Sequence, residues 1–154
     1  MTTANLTYYI FEGVLTGFVE TRMFHMTALS GGAGGTTQAR TSSSVNNPYD
    51  EGLKATGDAK FKGHVHGGPI PPGTYSIKKP SHHPHLGLSA RLDHPRWRPM
   101  GRDGFFIHGR GPHGSDGCIV PLVHGQFIEL MNALAKSNGG TLVVAETMDG
   151  SRFA

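Results

Sequence analysis

Short apolar runs separated by turn residues dominate the pattern of this chain. Leu6–Phe11, Val14–Val19 and Met23–Leu29 are rich in aromatic and β-branched residues, and Gly13 breaks the first from the second. Such runs suit pleated, half-buried surface, so residues 6–28 read as a β-meander. The stretches SGGAGG at 30–35 and TSSSVNNPYDEG at 41–52 are loops by composition. GPIPPGTYSI at 68–77 joins a proline-stiffened turn to a short strand from Thr74 to Ile77. Residues 80–104, rich in His, Pro, Arg and Gly, read as a long irregular excursion of the kind that often forms a lid. Ile119 and Val120 belong to another strand. Periodicity then changes. Phe127, Leu130, Met131 and Leu134 fall at i, i+3, i+4 and i+7, one apolar stripe on a helix over about 123–137. Lys136 suits its C-terminal end and Gly139-Gly140 stops it. Thr141–Glu146 is a last strand. The pattern predicts a mainly β fold with one packed helix, as a single domain over 1–154.

Composition supports that reading. The chain has 154 residues, 36% hydrophobic and 16% charged, with 23 glycines and 10 prolines. That length suffices for one real core, and the glycine and proline favour strands and turns over long helices. No apolar run approaches the roughly 20 residues of a membrane span. The N-terminal MTTANLTYYIFEG lacks the basic, apolar and small-residue blocks of a secretory leader. The expectation is a protein made in the cytoplasm without a Sec signal, with no membrane insertion. The formal net charge of +3 suits an anionic substrate as well as it suits nucleic acid. No recognition helix or aromatic RNA-binding strand is visible, so no nucleic-acid partner is expected. Arg91, Arg96, Arg98, Arg102 and Arg110 form the one local concentration of positive charge.

Candidate chemistry concentrates in FFIHGRGPHGSDGCIVP, residues 105–121. Cys118 is the only cysteine, so no internal disulfide can form. A lone cysteine is ordinarily a small buried hydrophobe. A Gly-Ser-Asp-Gly approach is more than core packing needs, and it favours a nucleophile. The layout reads as two strand ends joined by a tight glycine-shaped loop, with His108 and Cys118 on neighbouring strands. Opposed side chains in that geometry lie about 5 Å apart at Cβ. An ordinary thiol, with a pKa of about 8.5, is mostly protonated at neutral pH. A neighbouring imidazole removes that proton or holds the thiolate as an ion pair. The backbone N–H groups of Gly117 and Cys118 are placed to meet a developing oxyanion. Ser115 and Asp116 shape the loop by side-chain turn bonds, and Gly109, Arg110 and His113 are candidate substrate contacts. Histidine before cysteine, close in sequence, is the reverse of the papain order.

The same residues resemble the L,D-transpeptidase catalytic domain. The resemblance lies in Pro69-Ile70-Pro71-Pro72-Gly73-Thr74-Tyr75, Ile107-His108-Gly109 and Ser115-Asp116-Gly117-Cys118-Ile119. It departs from the mainstream pattern at Asp116, where histidine is usual, and at Val120-Pro121, where a polar or basic residue is usual. A smaller branch that includes type VI secretion effectors is more similar. It shares the Leu29-Ser30-Gly31-Gly32 turn, Asn46-Asn47-Pro48, Gly68–Tyr75 and His108–Ile119, over roughly Phe11 to Val144. The resemblance implies an L,D-transpeptidase-like β-sandwich or sheet with Cys118 as nucleophile and His108 as base. It implies peptidoglycan stem peptides as substrate, trimmed of terminal D-alanine or exchanged for another D-amino acid, and no cofactor. It also implies action in a target bacterium's periplasm, with a cognate immunity protein and a secretion-system component as partners.

Two other readings compete. His64-x-His66 and His82-His83-x-His85, with His94, His113 and His124, can be read as the ligands of a zinc-dependent wall hydrolase. Neither cluster has an HExxH frame, and solvated loop histidines with no metal are the simpler expectation. The third reading is a non-catalytic, wall-binding β-domain.

Overall fold

Alternation decides the first strand: Ala4, Leu6 and Tyr8 are buried while Asn5 points out. The computed structural model describes residues 3–30, 69–94, 105–109 and 118–149. In chain order these form β1 (Ala4–Tyr9), β2 (Val14–Val19), β3 (Arg22–Ser30), β4 (Gly73–Ile77) and β5 (Ser81–His83). Then come β6 (Gly87–Asp93), β7 (Phe105–His108), β8 (Ile119–Pro121), α1 (His124–Lys136) and β9 (Gly140–Ala145). Among the described residues the fold is mainly β with one helix, as the pattern predicts.

β1, β2 and β3 are the expected antiparallel meander. At Gly17 the strands come unusually close: φ is +140°, and a Cβ there would lie 2.2 Å from the Asn5 carbonyl oxygen. Only glycine fits that contact. The nine strands make one mixed sheet in the order β4-β9-β1-β2-β3-β8-β7-β6-β5. The far end of β6 also pairs with β4, through Ser76↔Asp93 and Ile77↔Leu92. The sheet therefore curls until it closes on itself, and β5 hangs on the near end of β6. Closure of β4 on β6 removes the open edge of β4, and β5 is left as the one strand with a single neighbour among the described residues.

Inside the curl one core forms from alternate residues of nearly every strand, among them Leu6, Leu15, Met26, Tyr75, Leu92, Ile107, Ile119 and Leu142. The stripe Phe127, Leu130, Met131 and Leu134 of α1 joins the same core. The helix ends on Ser137, whose N–H and hydroxyl both donate to the Leu134 carbonyl. Gly139 then turns the chain at φ +78° into β9.

Two expectations are corrected. Residues 80–104 are not one irregular excursion: β5 and β6 occupy 81–83 and 87–93, while 95–104 lie outside the described residues. Leu88, Ala90 and Leu92 alternate with Ser89, Arg91 and Asp93, a period of two hidden by the surrounding His and Pro. Second, β7 and β8 do not form a tight hairpin. They run parallel, with Ile107 beside Ile119, and so need a crossover instead of a tight turn.

Candidate active site

Strands β6, β7 and β8 are neighbours, and their register fixes which side chains share a face. Ala90, Ile107 and Ile119 align across the three, all 0% exposed, and point into the core. The alternate residues therefore occupy the outer face. On β6 these are Ser89, Arg91 and Asp93, and on β7 they are Phe106 and His108. Ser89 is opposite His108 and Arg91 opposite Phe106. Cys118, one residue before Ile119, falls on the same outer face in line with Phe106. Strands lie about 4.8 Å apart and rise about 3.3 Å per residue, so the backbones of Cys118 and His108 are offset by about 8 Å on a diagonal. The expected directly opposed pair is thus replaced by a diagonal one. The cause is the parallel register.

Burial separates Cys118 from its neighbour. Ile119 is fully buried, while Cys118 is half-buried. His108 is also half-buried. Its Nδ1 lies 2.8 Å from the Gly109 carbonyl oxygen. A carbonyl only accepts, so Nδ1 carries the hydrogen and Nε2 of the neutral ring is the basic nitrogen. Burial pushes the His108 pKa below its ordinary value. The Gly109 bond opposes that shift, and the nearby His83 adds to it. The ring is neutral at neutral pH and fit to take a proton.

Gly109 lies against α1: a Cβ there would be in ordinary van der Waals contact with the Phe127 ring, at 3.4 Å. The helix start, with the His124 ring 5.9 Å from Phe127, therefore packs immediately behind the end of β7.

His83 lies on the other side of the site. Its Nδ1 accepts from the backbone N–H groups of His85 (3.0 Å) and Leu86 (3.2 Å). That nitrogen is occupied, so the neutral ring carries its proton on Nε2 and presents a donor there. The ring stands edge-on to Phe106, centroids 5.1 Å apart. Arg91 lies 5.9 Å over the same Phe106 ring and donates to Asp93 Oδ1 at 2.6 Å.

Among the described residues no three His, Cys, Asp or Glu side chains come together as metal ligands. His83, the centre of one expected cluster, spends its Nδ1 on its own turn. His64, His66 and His113 lie outside the described residues, as do Arg110, Ser115, Asp116 and Gly117. Of the five grouped arginines Arg91 alone is described, and it is on the face that carries Cys118 and His108. Ser89 and Phe106 were not anticipated as site residues, and His83 was anticipated only as a metal-ligand candidate. The period-two pattern of GLSARLD was the available signal.

No protein-family model and no curated protein matches the chain. Solved structures do. The helical cell shape determining protein Pgp2 from Campylobacter jejuni superposes with a TM-score of 0.56 at 14% identity, over 96% of this chain and 48% of that one. Bd1075 from Bdellovibrio bacteriovorus gives 0.54 at 14%, over 94% and 48%. The L,D-transpeptidase of Xylanimonas cellulosilytica gives 0.52 at 11%, over 93% and 60%. The chain thus spans 48–60% of the length of these structures. Nearly all of it is matched, and the fold it carries is that of the L,D-transpeptidases.

Proposed function

We propose that the protein is a cysteine-dependent peptidoglycan-modifying enzyme that acts on tetrapeptide stems. The observation that carries this reading is the shared outer face of Cys118 and His108, with the His108 Nδ1–H already donated to Gly109. A histidine side chain can span the diagonal between them. The Cys118 thiol gives its proton to His108 Nε2, and the thiolate attacks the carbonyl at the L-centre before the terminal D-alanine. The tetrahedral oxyanion is met by the backbone N–H groups of Gly117 and Cys118. His108 returns the proton to the departing amine, and D-alanine leaves. A thioester on Cys118 remains. Water releases the tripeptide, giving carboxypeptidase action, and the amine of a D-amino acid gives exchange. Arg91, beside the pair, is the described arginine suited to a stem carboxylate.

The biological reading follows from the resemblance. The enzyme is an antibacterial type VI secretion effector, delivered into a target cell's periplasm and matched by an immunity protein in the producer. The reaction is tested by incubating the protein with disaccharide tetrapeptide and following mass. Loss of one alanine, and incorporation of an added D-amino acid, is expected. An unchanged substrate under both conditions refutes the reaction. A binding domain would instead retain the peptide and leave its mass unaltered.

A further inference from the structure

Ser89 is the polar group of this face that the proposed chemistry leaves unused. It is 2% exposed, although Arg91 and Asp93 on the same face of β6 have side chains 49% and 30% exposed. Its Oγ is buried and has no hydrogen-bond partner among the described residues. An unsatisfied buried hydroxyl is uncommon in a folded protein and marks either a defect or a function. Its position is specific. Ser89 is the antiparallel register partner of His108, on the side of β7 away from Cys118. Opposed side chains in such a pair have Cβ atoms about 5 Å apart. The hydroxyl therefore sits beside the imidazole, while the ring's Nδ1–H is committed to Gly109.

At rest the ring is neutral and needs nothing from Ser89. Once Nε2 takes the Cys118 proton, a positive charge appears in a half-buried place beside His83. Such a charge is costly unless an oxygen lone pair meets it. We propose that Ser89 is a positioning residue of the site, its rotatable hydroxyl turning an oxygen lone pair toward the His108 imidazolium and so favouring the thiolate–imidazolium pair. No bond to Ser89 forms or breaks. The proton moves from Cys118 Sγ to His108 Nε2, and the Ser89 O–H rotates. Ser89 acts in this way only if Cys118 and His108 form the proposed pair.

Among the described residues, the other ionisable groups on the elements packed around the ring are His83 on β5 with His85 beside it, Arg91 and Asp93 on β6, Cys118 before β8, and His124 at the start of α1. All are retained in Ser89→Ala, so that variant isolates the hydroxyl. The test is the pH profile of Cys118 alkylation by iodoacetamide, with melting temperature measured alongside. A methyl in place of an unsatisfied buried hydroxyl is neutral or stabilising, so Ser89→Ala should melt at the same or a higher temperature. Its alkylation profile should nonetheless move to higher pH, with a rate at pH 7 reduced about tenfold. A Ser89→Ala profile that overlays wild type, while His108→Gln shifts, overturns the role of Ser89 and leaves the pair standing. A His108→Gln profile that overlays wild type removes the pair, and the role of Ser89 with it.

Discussion

At the scale of single residues, the proposed chemistry depends on which nitrogen of His108 is basic. The Gly109 carbonyl fixes that choice, because it can only accept. His108→Gln keeps a polar side chain but cannot relay a proton. Turnover of tetrapeptide should fall about 10²–10⁴-fold, read as initial rates of alanine release. The same residue has a consequence for stability. Burial holds the folded pKa of His108 below its unfolded value. The unfolded chain therefore binds the proton first as pH falls. The contribution of His108 is fully present above its unfolded pKa of about 6.5 and is lost as pH drops through that value toward the folded one. Melting temperature should decline from pH 7 to pH 5, and His108→Gln should flatten that decline. A wild-type slope that the substitution leaves unchanged contradicts the assignment. Cys118 and His108 stood out in the sequence because a lone cysteine after Gly-Ser-Asp-Gly has few structural reasons to exist, and their chemical roles remain the proposal. Ser89 was not legible. A serine within a strand carries no motif, and only the register shows it opposite His108.

At the scale of elements, periodicity was the reliable signal and composition the unreliable one. Phe127, Leu130, Met131 and Leu134 predicted α1 within a residue at each end, because all four are buried on one stripe. The meander was equally plain. The region 80–104 misled because His, Pro and Arg suggest a loop. Tertiary pairing of β6 with β4, β5 and β7 nevertheless makes a strand of its Leu88, Ala90 and Leu92 alternation. The relation of β7 to β8 was not legible at all. A glycine-rich spacer fits a hairpin or a crossover, and β8 is placed between β3 and β7 by its pairing with Leu29 and Ala28. Two substitutions test the packing. Leu130→Ala opens a cavity beneath the sheet and should cost about 2–5 kcal/mol, measured by denaturant titration. Gly17→Ala drives a methyl into the Asn5 carbonyl and strains a positive φ. It should destabilise by more than about 1 kcal/mol, although nothing else at that position changes.

At the scale of the whole molecule, closure of the sheet explains how a short chain holds a rigid site. β4 meets β6 through Ser76 and Ile77, so the strand bearing Ser89 and Arg91 is tied at both ends, to β5 at one and β4 at the other. β8, bearing the approach to Cys118, is held between β3 and β7. The outer face of these strands is thereby fixed by the same core that receives the apolar stripe of α1. An L,D-transpeptidase-like fold supplies the frame, and the Cys118 sulfur is the nucleophile proposed for it. The most direct measurement is the intact mass of the protein after brief mixing with disaccharide tetrapeptide, compared between wild type and Cys118→Ala. Wild type should gain the mass of the stem acyl group, lacking one alanine, on Cys118, and the variant should gain nothing and release no alanine. Alanine release by Cys118→Ala at the wild-type rate would contradict the cysteine mechanism outright.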